Sequence, residues 1–502
     1  MASLSKTSIA FIADAALNLV GSAKARIVAL FGGPARLQVI LVLAAVLAID
    51  GVDKGTLSAV SDQLKHAFHI GNTEIGLLFS AVSFIGAAAT LPMGILADRL
   101  PRRIVLMVAI ALWVAAMAIS GTATSYIYLL VTRLFLGATT AAAWPCVASL
   151  TGDFFPARER AGIYGWILAG ELIGSGIGFF IAGEVESFST WRWSFYVMAA
   201  LTLIPIWAIW RYLPEPERSS QSWLRPGERD PEAAARPQPD RPQDGDAAGM
   251  SKLQKTMRAA DIKPRTALIL NQDPTRRHIG WVMRYLLKFP TYVLVIAASA
   301  LAYYFFAGVR AFAMIYITEH FGLKSSSASA FVLVAGIGGL IGTVAGGRVA
   351  ERLLKRGVLS ARIVVPAAAL CLSVPFLGAG IWVTNIGAGI ILLTVGAFFM
   401  AAAVAPIDAA RLDIILPQLW GRGESGRMAL RSAFEGGAPL LFGAVSGWLG
   451  GGQKGLMWTF LLMLIPMLMA SALVFPARKT YPRDVATAAA SVEAIGKRKL
   501  PT

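Results

Sequence analysis

The chain has 502 residues, of which 56% are hydrophobic and only 15% charged, where soluble domains carry about a quarter charged residues. One protein interior cannot hide that much apolar surface, so a soluble globular fold is excluded in favour of a chain for which lipid takes the place of a core. The net charge of +17 sits in short connections between apolar runs, without interleaved aromatics, which excludes a nucleic-acid partner.

Along the chain, residues 1–36 come first. Ile9, Ile12, Ala16, Val20, Ile27 and Phe31 fall along one helical stripe interrupted by Asp14, Asn18, Lys24 and Arg26. An acid inside a signal core is costly, so an amphipathic helix on the membrane surface is expected rather than a cleaved leader. Twelve apolar segments of about 20 residues follow, the length needed to cross the hydrocarbon. The first half, 37–213, holds spans at roughly 37–60, 74–97, 103–122, 126–149, 160–183 and 193–213. The second, 291–475, holds them at roughly 291–318, 327–350, 361–382, 385–408, 428–450 and 455–475. The expected fold is therefore an all-α polytopic membrane protein with twelve transmembrane helices in two pseudo-symmetric six-helix bundles.

Arginine and lysine mark one set of loops: Arg99, Arg102 and Arg103 after the second span, Arg158 and Arg160 after the fourth, Arg352, Lys355 and Arg356 after the eighth. The alternate loops carry few, such as Lys65, Arg192, Lys324 and Lys454. By the positive-inside rule both termini are cytoplasmic, in a plasma or inner membrane. Residues 214–290 form a cytoplasmic linker whose Pro- and Arg-rich first part, around Arg236-Pro237-Gln238-Pro239, buries too little apolar area to fold. Its later part, Arg276 to Lys288, is basic and amphipathic and is expected on the inner leaflet. Residues 476–502 are expected to be a cytoplasmic tail.

An internal echo relates the halves. Gly94-Ile-Leu-Ala-Asp98-Arg99-Leu-Pro-Arg102-Arg103 follows the second span, and Gly347-Arg-Val-Ala-Glu351-Arg352-Leu-Leu-Lys355-Arg356 follows the eighth. Glycine, acid, arginine and two closing basic residues recur at identical spacing, which implies a duplicated half. The arginines fix topology, but topology does not require Asp98 or Glu351. An acid at the membrane face interacts with the positive N-terminal end of a neighbouring helix for roughly 0.3–1 kcal/mol. Contacts of that size, made and broken between two states, suit a gate.

Charges within the spans are the next signal, because a buried ion costs at least about 2.5–3.5 kcal/mol. Asp50 and Lys54 are four residues apart and neutralise each other, which leaves Asp53 without a partner in its own helix and makes it the expected protonation site. In the fourth span Arg133, Gly137, Thr140 and Trp144 lie about one turn apart on one face, and Asp53 is the natural partner for Arg133. Arg133 is equally suited to grip an anionic headgroup or carboxylate. Glu171 in the fifth span and Glu435 in the eleventh are counterparts, both flanked by glycines. Glu435 has Arg431 one turn away, whereas Glu171 has no such neighbour. In the seventh span Tyr303, Tyr304, Arg310 and Tyr316, with Phe305, Phe306 and Phe312, form an aromatic-rich wall suited to an apolar tail or, equally, to lipid. No nucleophile, metal or Walker-type constellation accompanies these residues, so an enzyme, a metal site, a cofactor and ATP drive are not expected.

The run from Gly94 to Arg103 resembles the signature between helices 2 and 3 of the major facilitator superfamily. Arg133-Leu-Phe-Leu-Gly137 resembles its helix-4 motif, Gly170-Glu171-Leu-Ile-Gly174-Ser-Gly176-Ile-Gly178 its Gly-rich fifth helix, and Trp191-Arg192-Trp193-Ser-Phe195 the start of its sixth. The resemblance covers residues from about 37 to 475. It implies alternating access, with Asp98 facing the start of helix 11 near Met428 and Glu351 facing the start of helix 5 near Arg160. Within the superfamily the chain most resembles the spinster-like branch, through Asp53-Lys54, Ile173-Gly174-Ser175-Gly176-Ile177-Gly178 and Ile341-Gly342-Thr343. That branch includes lysolipid and sphingolipid exporters. It usually carries a glutamate where this chain has Thr140, which moves the expected coupling role to Asp53 and Glu171. The resemblance thus implies a monomeric secondary transporter of a lipid-like amphipath, with membrane lipids and protons as partners. The alternatives are an organic-anion symporter, a drug efflux pump, or a non-transporting membrane sensor or scaffold.

Overall fold

Inside a bilayer every backbone N–H and C=O has to be satisfied within the protein, and this chain meets the requirement with helices. The computed structural model describes residues 28–29, 31–155, 157–216, 224, 227, 229–232, 262–272, 274, 277–416 and 419–499, and they contain no β-strand. In the first half, α1 (Pro34–Ala59) makes the first crossing and α2 (Ser61–Phe68) caps its end. They are followed by α3 (Asn72–Arg99), α4 (Arg102–Gly121), α5 (Tyr126–Thr140) with α6 (Ala143–Phe154), α7 (Ala157–Phe188), and α8 (Trp191–Leu201) with α9 (Leu203–Tyr212). After α10 (Ile279–Leu286), the second half comprises α11 (Pro290–Phe321), α12 (Ser325–Lys355), α13 (Ala361–Trp382), α14 (Ile386–Ala402) with α15 (Val404–Asp413), α16 (Trp420–Trp448) and α17 (Gly452–Val474). A final helix, α18 (Ala477–Lys499), follows. The result is twelve crossings in two six-helix bundles.

Eleven of these crossings, among the described residues, are long and apolar enough to span a membrane by composition alone. The other is α16, whose Arg431 and Glu435 sit among glycines and lower its mean hydropathy. Crossings four, six and ten are each broken into two helices, and each break has the same cause. Pro145, Pro205 and Pro406 lie four residues after Ala141, Leu201 and Ala402, where a proline ring clashes with the carbonyl of residue i−4 and lacks its own N–H. The fourth and tenth crossings occupy equivalent places in the two halves, so the kink belongs to the repeat.

The helices approach each other through small residues, as association within lipid requires. The α1–α7 contact is among the closest. A Cβ built on Gly170, Gly174 or Gly178 would lie 2.2, 2.1 or 2.4 Å from the carbonyl oxygen of Ala44, Ala48 or Val52, and one on Gly51 would lie 2.0 Å from that of Glu171. The two backbones therefore touch along three turns, which sets Lys54 against Glu171. The halves meet along α3–α16 in the same way: a Cβ on Gly76 would lie 2.2 Å from the Pro439 oxygen, and one on Gly443 would lie 2.2 Å from that of Asn72. At the end opposite the chain termini they are bonded by Lys65 to Glu319 (2.7 Å) and by Asn72 Nδ2 donating to Ser446 Oγ (2.8 Å).

At the termini end, each half carries one buried tie. Arg102, opening α4, donates to Asp153 at the end of α6, to Ser149 Oγ (2.9 Å) and, through Nε, to Glu215 beyond α9 (2.9 Å). Arg362, at the start of α13, donates to Asp413 at the end of α15, which also accepts from Tyr481 Oη on α18 (2.5 Å). The expected tail is thus an ordered helix with Tyr481, Asp484 and Thr487 buried. Asp484 accepts from Arg265 Nε (2.7 Å), and Thr487 Oγ1 accepts from the Arg265 backbone N–H (2.9 Å), which pins residues 262–272 of the linker to α18.

The amphipathic linker piece, expected on the leaflet, forms α10 and turns Val282, Tyr285 and Leu286 into the protein. The Tyr285 hydroxyl donates to the Leu268 carbonyl (2.8 Å), and burial pushes the phenol up to about 12. The expected surface helix of residues 1–36 and the Pro/Arg-rich linker stretch lie mostly outside the described residues.

Gly174→Leu forces α1 and α7 apart, whereas Gly176 has open space around its Cβ position. Thermal unfolding of the purified protein is expected to show Gly174→Leu destabilised by about 1–3 kcal/mol or more, with Gly176→Ala close to wild type.

Candidate functional site

In the later part of α1 one helical turn carries three charged residues, Asp50, Asp53 and Lys54, and helical geometry points them at different neighbours. Asp53 and Lys54 are one residue apart, about 100° around the helix axis, so they cannot face the same partner. Asp53 turns into the first half. Its Oδ1 accepts from Arg133 Nη1 (2.8 Å), whose Nη2 donates to Ser120 Oγ (2.8 Å), and the guanidinium lies 5.1 Å from the centre of the Phe195 ring. Arg133 is fully buried and Asp53 is 2% exposed. Spans one, three, four and six are thereby joined through one ion pair.

Lys54 turns the other way, to the plane where the halves meet. It bonds Asp50 one turn back, and its Nζ lies 3.5 Å from Glu171 Oε1 on α7 and 4.0 Å from Glu435 Oε1 on α16. Arg310 on α11 places Nη1 3.3 Å from Glu171 Oε1 and donates Nη2 to Glu435 Oε1. Arg431, one turn before Glu435 on α16, donates Nε to Glu435 Oε2 (2.9 Å) and lies 3.7 Å from Glu171 Oε2. Its guanidinium covers the Tyr303 ring at 3.8 Å, and that of Arg310 stands 5.4 Å from the Phe306 ring. Three carboxylates, Asp50, Glu171 and Glu435, thus face three cations, Lys54, Arg310 and Arg431, drawn from spans one, five, seven and eleven. A cleft beside them is lined by Asp53, Lys54, Arg310 and Glu435, with Phe79 and Ser83 of α3 opposite.

The arrangement holds a charge-balanced set of side chains in a region of low dielectric, and every member has a partner. Guanidinium pairs of this kind suit the planar, bidentate recognition of a carboxylate or phosphate. Among the described residues no cluster of histidine, cysteine, aspartate and glutamate suits a metal ion.

The structure brings together Asp53 with Arg133, and Lys54 with Glu171, Arg310 and Glu435. It keeps others apart. Thr140 donates to the Gly137 carbonyl (3.1 Å), and Trp144 packs, half-buried, against the hydrophobic interior. Tyr304 donates to Met463 Sδ (3.5 Å) beside Phe442, and Phe305 and Phe312 also lean on Phe442. Most of the aromatic wall of the seventh span is therefore interior packing rather than a lining for a tail.

At the helix ends, the surroundings of Gly94 and the side chains of Asp98, Arg160 and Met428 lie outside what is described. Arg99 is exposed, Arg102 makes the buried tie described above, and Arg103 donates to the Trp210 carbonyl. A Cβ on Gly347 would lie 3.6 Å from that of Ala405, and Glu351 and Arg352 are exposed. Asp50 and Arg431 join the cluster although each has an in-helix partner at i+4. That spacing made them look self-contained, and only their placement within apolar spans signalled more.

Residues 42–415 match the family described as Major Facilitator Superfamily. The chain is 28% identical over 168 residues to the D-galactonate transporter of Escherichia coli O6:H1, a match covering 33% of this chain and 39% of that protein. It is 24% identical over 355 residues to the hexuronate transporter of Bacillus subtilis strain 168, covering 70% of this chain and 74% of that one. Among solved structures it shares the fold of a bacterial homologue of the human lysosomal transporter Spinster in an inward-facing, occupied conformation. The TM-score is 0.67 at 16% identity, over 90% of this chain and 98% of the other. The nucleoside transporter NupG matches with a TM-score of 0.57 at 12% identity, over 89% and 99%.

Removing one partner of a buried pair leaves an uncompensated charge. Arg133→Met is expected to destabilise the folded protein by about 3–5 kcal/mol in thermal or chemical unfolding, and adding Asp53→Asn is expected to restore much of that loss. Equal stability of the single and double variants would contradict the pairing.

Proposed function

This chain belongs to the Major Facilitator Superfamily, and we propose that it is a membrane transporter that carries a small organic anion, a carboxylate-bearing solute, by proton-coupled alternating access. The observation that carries this reading is the convergence of Lys54, Arg310 and Arg431, from both halves, on a buried central plane. A cation placed where the halves meet binds an anion from either side of the membrane and feels the relative movement of the bundles. Two arginines with a lysine match a carboxylate in geometry as well as charge. The names of the D-galactonate and hexuronate transporters, both of acidic sugars, support the same chemical class.

With the arginine-rich loops placed on the cytoplasmic side, both termini are cytoplasmic and the end sealed by Lys65–Glu319 and Asn72–Ser446 is the outer one. Asp53 with Arg133, and the central acids with their arginines, are the protonation candidates, and Asp98 and Glu351 remain the candidate gating acids at the inner ends of α3 and α12.

A second reading is a lysolipid-like amphipath, whose acidic headgroup would use the same cations. The Tyr303 and Phe306 rings beside Arg431 and Arg310 favour it. The packing of Tyr304, Phe305 and Phe312 onto Phe442 disfavours it by removing most of the apolar lining.

Reconstituted vesicles decide between the two. An inward proton gradient is expected to drive uptake of D-galactonate or D-glucuronate, and Arg310→Ala is expected to lower kcat/KM by about a hundredfold or more, the loss that follows when a charge-paired contact is removed. Movement of a lysophospholipid but of no sugar acid would transfer the site to the second reading. Full activity of Arg310→Ala toward the anion would remove the central cations from the site.

A further inference from the structure

We infer that Glu171 is a built-in competitor for the transported anion: it occupies the subsite made by Arg310 and Arg431, leaves when a carboxylate arrives, and takes up the coupled proton as it leaves. The inference rests on the organic-anion reading above and adds the group that exchanges.

The central plane is electrically neutral. Glu171 is faced from α1 by Lys54, with Asp50 behind it, from α11 by Arg310, and from α16 by Arg431 and Glu435, with Tyr303 beneath Arg431. Three negative and three positive groups balance. A fourth negative charge brought into this plane by a solute has no cation left to meet it, and an unpaired buried ion costs several kcal/mol. The site admits an anion only by losing one of its own, either through movement of a carboxylate to water or through its protonation.

The two glutamates are not equivalent. Glu435 is held on both oxygens, by Arg431 Nε at 2.9 Å within its own helix and by a hydrogen bond from Arg310 in the same half. Both bonds survive any rigid movement of one half against the other. The contacts of Glu171 are longer, at 3.3 Å to Arg310, 3.5 Å to Lys54 and 3.7 Å to Arg431, and the two arginines belong to the opposite half. Glu171 is the weaker-held acid, and its release frees a pair of guanidiniums at once. Release also breaks two of the ionic ties between the halves, so filling the site and unlocking the bundles become one event.

The balance of the step is simple. The solute carboxylate takes the Arg310 and Arg431 bonds, and the Glu171 carboxylate accepts one proton from the solution on the side the solute comes from, so anion and proton enter together. The net charge of the plane does not change. On release toward the other side Glu171 returns the proton and re-forms its bonds. By linkage, anion affinity rises as pH falls through the range in which the displaced Glu171 protonates, and protonation is favoured by the anion to the same degree.

Calorimetry of the purified protein with D-galactonate and D-glucuronate, in two buffers of different ionisation enthalpy, counts the protons taken up per anion. Wild type is expected to take up about one, and Glu171→Gln about none, binding about tenfold tighter near neutral pH with an affinity that no longer varies with pH. Glu435→Gln is expected to keep the uptake. Proton uptake retained in Glu171→Gln overturns the assignment, and uptake lost only in Glu435→Gln transfers it to that residue. Glu171→Asp, which keeps the charge, serves where the glutamine variant folds poorly and is expected to retain uptake.

If wild type binds neither probe, the organic-anion reading fails, and a ligand-free measurement still tests the tie. Spin labels at the exposed positions Ile104 and Val358, in a Cys371→Ser background, report the separation of the halves by pulsed dipolar spectroscopy. Glu171→Gln is expected to shift or broaden that distribution without any ligand. An unchanged distribution would overturn Glu171 as a releasable link between the bundles.

Discussion

The organisation of this protein follows from the cost of burying charge. A single ion in the middle of a bilayer costs several kcal/mol, and the cost is offset only where an opposite charge is held against it. Asp53, Arg133, Glu171, Arg310, Arg431 and Glu435 are all buried. Each has its partner within hydrogen-bond or ion-pair distance. Neutrality dictates where α1, α7, α11 and α16 stand relative to one another, because a small rotation of any of them would strand a charge.

Such placement needs helices close enough for short side-chain bonds, and the small residues supply that closeness. Gly170, Gly174 and Gly178 bring α7 onto the carbonyls of α1, leaving no room for a side chain between the backbones. Lys54 and Glu171 therefore face each other over a few ångströms. The α3–α16 contact does the same across the halves at Gly76 and Gly443. Glycine in a helix is unfavourable by about 1 kcal/mol relative to alanine, and here the close approach offsets it. The fourth, sixth and tenth crossings show the complementary device, in which proline bends a span that would otherwise run straight past its neighbours.

The two halves are alike in plan and different in detail. Arg102 with Asp153 and Arg362 with Asp413 are equivalent ties at the start of the third and ninth crossings. The first is completed by Glu215 on the linker side, the second by Tyr481 of α18. The helix after the last span is thus a structural part of the second half, and through Arg265 and Asp484 it holds the end of the linker as well. Tyr481 and Asp484 gave no sign of this in the sequence. Their segment is polar enough to read as a free tail, and its partners lie some 70 to 220 residues away.

The sequence alone determined the number of crossings, their grouping into two related bundles and the superfamily. Each rests on local information: runs of apolar residues as long as the hydrocarbon is thick, charges in the loops, and a motif repeated after six spans. It also singled out the charged residues within the spans, because a charge inside an apolar run is expensive wherever the run packs. It did not determine who pairs with whom. Asp53 with Arg133 was the one cross-helix pair that composition pointed to. Glu435 looked satisfied by Arg431 and Asp50 by Lys54, since i,i+4 spacing within one helix is visible in a sequence and contact between helices is not. Only the tertiary structure joined these pairs with Glu171 and Arg310 into one cluster, because the facing of each charge depends on the rotation and close approach of helices up to hundreds of residues apart.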